Sequence, residues 1–586
     1  MTGVTGARTA GSSPGGRRSG GAAEGGSIGR GVEAAASAGG GRATGGGPQD
    51  GGSGSRAARA SSGSVAGGRA EAANAAGGRA EDANAAGGRA EDARAAGGRA
   101  EDARAAGHAE GAIAASPPAR QSVPATLAGV PAPELDRHRA AVAALRQAYQ
   151  ELPAGEPVRL AKPTSNLFRF RDASPALHGL DVSAFDHVLH VDPVTQTAVV
   201  GGMTTYEHLA DATLRYGLMP LVVPQLKTIT LGGAVTGLGI ESTSLRNGLP
   251  HESVIEMEIL TGDGRVVTAA PEGEHARLFR GFPNSYGTLG YALSLTIELE
   301  PVKPYVHLRH RPFGSLDDCM SAVGQIAADR AIDGVPVDFI DGIAFGPDEL
   351  YLTLGTFSTV APWLSDYTRQ QIYYRSVQRY REDFLTVRDY LWRWDTDWFW
   401  CSRPFGVQNP AIRRLWPRRY RRSDIYRRLV AFDRRHGLTS QMNKSRQVSP
   451  REDVIQDVEI PVEKGAGFLD FFFREVRMRP VWLCPLRLRC GASWPLYPLE
   501  PGHVYVNFGF WGTVPLKPGQ PDGYHNRLIE DEVSALGGRK GLYSTAYYTE
   551  DEFWRQYNGQ EYRALKRAYD PGARLLGLYD KCVRGR

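Results

Sequence analysis

The sequence predicts an α+β protein whose ordered part begins near residue 131. Three observations lead there. One stretch spaces its apolar residues as a helix does. Several later stretches alternate, or run apolar with β-branched residues, as strands do. The first 118 residues offer almost nothing to bury. A length of 586 residues would suggest several domains, but the opening tract does not count towards them.

That opening tract is nearly all Gly, Ala, Ser, Arg and Glu and has no aromatic residue. A ten-residue unit recurs in it, "GGRAEAANAA" at 67–76 and "GGRAEDARAA" at 87–96 and 97–106 among its copies. Solenoid repeats are longer and carry a buried stripe. Alanine alone cannot offset the entropy of ordering, so a disordered low-complexity tract is expected over 1–120. A flexible tether is the functional alternative, and a start codon upstream of the true gene start is a third reading. The N-terminus has no apolar signal region, and no run of about 18 apolar residues occurs. Five cysteines without a CxxC pair fit reduced thiols in a cytoplasmic protein and suggest no metal site. The net charge of +5 says little about partners.

The first element is a leading helix over 131–153. Leu135, Val142, Leu145, Tyr149 and Leu152 fall on one face. After Gly155 come strand-like stretches: "PVRLA", "HVLHVD", "TAVVGG", "VIEMEILTGDGRVVTA" and "ALSLTIELEPV". Asp263-Gly264 marks a hairpin turn within the fourth. Between strands, a short helix is expected from Tyr206 to Tyr216, closed by Gly217. From about 304 the texture changes, with frequent aromatic residues and arginines and a strand-like "HVYVNFGFWG". A domain boundary is therefore expected near Pro301–Pro304, separating 131–303 from 304–586.

One segment carries the functional question: "ITLGGAVTGLGIESTSLRNG", from Ile229 to Gly248. Gly232, Gly233, Gly237 and Gly239 crowd it. Gly232 to Gly237 has P-loop spacing, but Leu238 stands where lysine is needed. The dinucleotide pattern GxGxxG also fails, because Gly237-Leu238-Gly239 is followed by Ser242. Two readings remain even: an open backbone surface for pyrophosphate oxygens, or tight turns that need glycine for φ > 0.

The surrounding segments bring in a resemblance. "AKPTSNLFRFR" (161–171), "PLVVPQLKTITLGGAVTGLGIESTSLRNGL" (220–249) and "LFRGFPNSYGTLGYALSLTIELEPVKPYV" (278–306) occur in this order, with "RPFGVQNP", "RPVWLCPLRL", "YVNFGFWG" and "YYTEDEFWRQYNG" downstream. They resemble the vanillyl-alcohol-oxidase/PCMH-type flavoproteins, and within them the delta24-sterol reductase (24-dehydrocholesterol reductase/Diminuto) branch. The resemblance implies a two-subdomain PCMH-type FAD-binding domain over 131–303, then an α+β cap or substrate domain over 304–586. It implies an extended FAD contacted by Thr164, Ser165 and Asn166 in a first loop. Pro224, Gln225, Thr228, Gly232, Gly233, Gly237, Gly239, Glu241 and Ser242 would line the central groove, completed by Gly287 and Gly290. The first loop has no histidine, so noncovalent FAD is implied. Eukaryotic members begin with a membrane-anchoring helix, and this chain begins with a polar tract instead. Its composition points to a high-GC bacterium.

Several residues carry two readings. Glu241 is either a polar contact to flavin or ribose, with proton donation as a variant, or a helix or turn cap. Tyr547 and Tyr548 are either proton donors beside the flavin or packing. His503 and His525 are weaker candidates still. The segment 412–435 has ten arginines interleaved with aromatic residues. A solvated face is the leading reading, a membrane-surface patch the second and nucleic-acid binding the last. The function expected is FAD-dependent, NADPH-driven saturation of a carbon–carbon double bond in a lipid. The substrate would be a sterol side chain or a methylene-branched fatty acyl chain. The protein would be cytoplasmic, with peripheral contact at the inner face of the membrane as an option. An oxygen-using oxidase of an alcohol or sugar lactone is the alternative reaction, and a non-enzymatic membrane-binding protein the alternative class.

Overall fold

The structure, a computed structural model, describes residues 127, 129–153, 155–162, 178–437, 449–489 and 491–585. The repeat tract and the first-loop residues Thr164, Ser165 and Asn166 lie outside them. The leading helix runs Ala132–Gln150. Leu145 and Tyr149 are buried on it as the spacing predicts, and His138 joins them, paired with Glu258 at 2.5 Å. Tyr149 closes the helix onto the domain by donating to the Gly262 carbonyl at 2.5 Å.

Two antiparallel sheets follow. The first orders its strands Val188–Asp192, Thr197–Gly201, Tyr291–Pro301, Val254–Leu260 and Val266–Ala269, with Leu218–Pro220 pairing the end of Tyr291–Pro301. The expected hairpin is present, with Met257 opposite Ala269 and Gly264 at φ +83° in its turn. The expected short helix is Tyr206–Thr213, capped by Thr205 and continued by one tighter turn to Gly217 at φ +69°. A short parallel pair, Val158–Ala161 with His178–Asp181, stands apart from this sheet.

The second sheet has eight strands in the order Glu382–Thr386, Tyr305–Phe313, Glu349–Ser358, Phe339–Gly346, Val481–Leu486, Tyr505–Pro515, Arg451–Pro461 and Arg539–Lys540. The chain thus changes sheets between Pro301 and Tyr305. Strand alternation gives this sheet two buried faces. Val458, Leu483 and Phe508 pack outward on the helices Leu316–Asp329, Gly465–Phe471 and Tyr524–Ala535. Phe339, Trp482 and Trp511 face inward, in one core with Val200, Leu231 and Leu295 of the first sheet.

The segment 304–586 does not stay with the second sheet throughout. Its last residues return to the first sheet. The helix Gly559–Tyr569 lies so close to Ala276–Gly281 that a Cβ on Gly281 would fall 2.1 Å from the Leu565 side chain. Tyr562 bonds Thr288 at 3.0 Å, Lys566 donates to the Thr288 carbonyl at 2.8 Å, and the Val158 amide donates to the Arg574 carbonyl at 2.8 Å. Among the described residues no helix is long and apolar enough to cross a membrane.

Candidate functional site

The glycine segment forms a seven-residue helix, Leu231–Gly237. Thr230 caps it by accepting from the Gly233 amide at 3.2 Å. None of Gly232, Gly233, Gly237 and Gly239 takes a positive φ, so the turn reading is not met, and what glycine does differs from position to position. Gly232 is a packing glycine, because a Cβ there would stand 2.7 Å from the Gly202 carbonyl oxygen. Gly239 is wedged between Pro224 and Pro250, whose ring atoms would lie 2.8 and 3.0 Å from its Cβ. Gly233 opens the other way, where a Cβ would crowd only the Thr230 side chain. Gly287 takes φ +74° in a turn, and Gly290 abuts Ile259 and the Leu260 carbonyl.

A groove of about 190 Å³ runs past this helix. Four anticipated residues, Gly232, Gly233, Gly287 and Gly290, line it, with Tyr286 between the two pairs. Arg159, Lys162 and Lys581 add cationic side chains that no motif in the sequence had suggested. Pro224, Gln225, Thr228, Gly237 and Gly239 are not part of its wall. Gln225 is buried, and its amide nitrogen has no hydrogen-bond partner.

Glu241 and Ser242 lie in a different setting. Glu241 is buried at the junction of the two sheets. Ser242 donates to its carboxylate and also pairs with the Tyr390 hydroxyl at 2.6 Å. The buried guanidinium of Arg393 approaches Glu241 Oε1 at 3.4 Å and holds Asp341 at 2.8 Å. Arg393 also lies 3.9 Å from the centre of the Tyr390 ring. Burial pushes the Glu241 carboxyl up to about 7, against the pull of Arg393 and with the help of Asp341. Its second oxygen has no partner. Glu241 is thus neither a groove residue nor a simple cap. It ties the glycine segment to the second sheet, as does the Ile340 amide donating to the Ser242 carbonyl at 2.8 Å.

Tyr547 and Tyr548 are not brought to the groove. The Tyr547 amide donates to the Glu530 carboxylate at 2.9 Å, and Glu530 in turn holds buried Lys540 at 2.6 Å. Tyr548 is buried against Tyr557. Both are packing residues here. His525 is likewise buried, its ring on Glu452 at 3.0 Å, while His503 sits exposed beside Glu500.

The arginine segment divides in two. Arg413 is fully buried on Asp397, Arg421 donates to main-chain carbonyls including Trp416 at 2.8 Å, and Arg422 makes a two-pronged pair with Glu207. These three hold the fold. Arg414, Arg418, Arg419, Arg428, Arg434 and Arg435 are exposed, beside exposed Ile412, Leu415 and Phe432.

Polar residues missed in the sequence occupy the inner face of the second sheet. Glu459 pairs with Asn507, and Asn507 with Cys484, across three adjacent strands. One rank along, Asp457 faces Gly509, which faces Trp482. In "VIQDVEIP" the acids Asp457 and Glu459 sit at the same parity as Ile455. Read alone, they pass for the solvated face of a strand whose apolar parity is Val454, Val458 and Ile460, so the sequence offered little signal.

A family model described as an FAD binding domain matches residues 140–270. The chain is 26% identical to a Delta(24)-sterol reductase of Arabidopsis thaliana over 446 residues, covering 70% of this chain and 77% of that one. It is 26% identical to the Homo sapiens Delta(24)-sterol reductase over 424 residues, covering 68% and 76%. A third similarity is shorter: 37% identity to an alditol oxidase of a Streptomyces over 111 residues, or 19% of this chain and 26% of that one.

Proposed function

We infer that this chain, an FAD-binding oxidoreductase related to the Delta(24)-sterol reductases, reduces an isolated carbon–carbon double bond in a lipid with electrons from NADPH. The observation that carries the reading is the reach of the relationship. It extends well beyond the FAD-binding segment, over some 70% of the chain, whereas the oxidase similarity covers 19%. The shorter match keeps an oxygen-using oxidase as the second reading.

The residues fit the cofactor. Gly233 presents bare backbone to the groove, Arg159 and Lys581 bring positive charge to it, and Gln225 and Glu241 each keep a buried polar atom with no partner. Gly233, Gly287 and the cationic side chains would hold the pyrophosphate, without a covalent link. Glu241, Ser242 and Gln225 would face the ring system from the junction of the sheets. When bound, the flavin supplies hydride chemistry, and the protein positions the alkene and supplies a proton. The inner face of the second sheet, where Trp482 and Trp511 stand beside Asp457 and Asn507, is the wall against which a lipid chain would lie. The substrate is a sterol side chain or a methylene-branched acyl chain, and the exposed arginines with Leu415 and Phe432 give a peripheral contact with the bilayer that stores it.

Stopped-flow absorbance tests the reading. Rapid flavin bleaching by NADPH, with slow reoxidation in air and fast reoxidation by an alkene lipid, is expected. Bleaching by an alditol with fast reoxidation in air would favour the oxidase instead.

A further inference from the structure

The inner face of the second sheet carries an acid site that the cofactor groove does not include. Asn507 is fully buried and donates its amide to Asp457 at 3.1 Å. Tyr543 also hydrogen-bonds Asp457, and Trp511 donates to the Tyr543 hydroxyl at 2.8 Å. Gly509 leaves the strand bare beside the carboxyl, since a Cβ there would fall 2.4 Å from Asp457 Oδ1. Asp457, Ile455 and Tyr543 keep partial exposure, although Cys484, Asn507 and Glu459 around them are buried.

Two polar atoms at this site have no protein partner: Oδ1 of Asn507 and Oε1 of Glu459. Buried groups of this kind are normally satisfied, so their orphaning points to a ligand. The groups facing Asp457 are Asn507 and Cys484 from neighbouring strands, Tyr543 from the segment after Arg539–Lys540, and Glu459 on its own strand. Burial pushes the Asp457 carboxyl up to about 7, and burial with the nearby Asp457 raises Glu459 well above the ordinary carboxylate range. The hydrogen bonds to Asp457 come from neutral groups. Glu241, by contrast, has a guanidinium beside it that favours its carboxylate. Tyr286, which lines the groove, is among the groups whose charge is felt at Tyr543.

We propose that Asp457 is the proton donor to the substrate alkene, held in place by Asn507 and Tyr543; this rests on the reductase reading above. An isolated alkene has no carbonyl to accept charge, so protonation must lead or accompany hydride transfer. The Asp457 O–H bond breaks, and the alkene π pair forms a C–H bond at its less substituted carbon. The more substituted carbon takes hydride from the reduced cofactor, whose two-electron oxidation balances the reduction. Asp457 is left as carboxylate and regains its proton from water. General-acid groups of this kind are worth on the order of 10²–10⁴-fold.

The test uses the full-length holoenzyme and two probes, a sterol with a side-chain Δ24 alkene and a phospholipid with a methylene-branched acyl chain. Flavin bleaching by NADPH should be within about twofold in Asp457→Asn, while anaerobic reoxidation by the alkene should fall at least about 100-fold. Asp457→Glu should recover part of that loss. Independently of turnover, the parent should show at neutral pH an infrared carbonyl band of a protonated carboxyl, shifted in D₂O and missing in Asp457→Asn. Unchanged alkene reduction in the Asn variant, or no Asp457-dependent band, overturns the proposal. A parent that reduces neither alkene overturns the reductase reading, and the proton-donor role falls with it.

Discussion

At the scale of residues, the glycines of one cluster differ in what surrounds them, and none of the four is there for a positive φ. Gly232 and Gly239 are glycine because other backbone or proline rings come too close, while Gly233 leaves the groove open. Gly233→Val should therefore lose FAD. Its branched side chain would also press on the Thr230 cap, which costs about 1 kcal/mol when lost. The expected protein is colourless, with near-native circular dichroism and a slightly lower melting point. A fully yellow variant would count against the groove. In the parent, acid precipitation should release the flavin into the supernatant. The raised carboxyls give a second prediction. Asp457 and Glu241 are each held up to about 7. A raised folded-state value means that folding favours the protonated form. The stability it contributes is fully present below the ordinary carboxylate range and is lost as pH rises through about 7. Melting points of the apoprotein should fall between about pH 4 and pH 7 and level off above that, and fall less steeply in Asp457→Asn. An identical slope in the two proteins would show that Asp457 does not titrate there. Glu241 was legible from its place after the glycines, but its partners Arg393 and Asp341 were not. They lie 152 and 100 positions away, and only the pairing of two sheets brings them together.

At the scale of elements, local pattern carried well. The leading helix, the Asp263-Gly264 hairpin and the helix closed by Gly217 follow from spacing and turn chemistry. What failed was charge. Ten arginines in one segment read as one surface, yet Arg413, Arg421 and Arg422 are spent on Asp397, main-chain carbonyls and Glu207. Sequence does not say which arginine of a cluster finds a buried acid. The structure therefore splits the membrane test. Arg414, Arg418, Arg419 and Arg428 changed together to Gln should weaken binding to anionic vesicles, each contributing about 1 kcal/mol, and leave NADPH-to-flavin transfer intact. Leu415→Asp should weaken binding as well, since Leu415 is 84% exposed. Arg413→Gln should instead lower the melting temperature sharply, because it strands the buried Asp397 carboxylate, a loss of about 3–5 kcal/mol. Equal binding of the parent to anionic and neutral vesicles would remove the contact.

At the scale of the whole molecule, the change of sheet between Pro301 and Tyr305 was readable from the shift in residue texture. The return of the C-terminal helices was not, because nothing in "YRALKRAYDPGARLLGLYDK" names its distant partners. A chain beginning near Ser122 should keep both flavin and lipid reduction, as the tract before it offers no core. Loss of flavin from a folded protein of that length would mean that the cofactor-binding part begins earlier.

The last strap of the chain has a consequence for synthesis. Lys581 reaches the Tyr286 carbonyl at 2.5 Å and lines the groove, and Arg574 accepts from Val158. The cofactor-binding part leaves the ribosome about 300 residues before Lys581, which completes its wall. A nascent chain stays partly open there until that residue has emerged. Flavin should thus be captured only after Lys581 is out, and a stop codon near Asp570 should yield a product that never turns yellow.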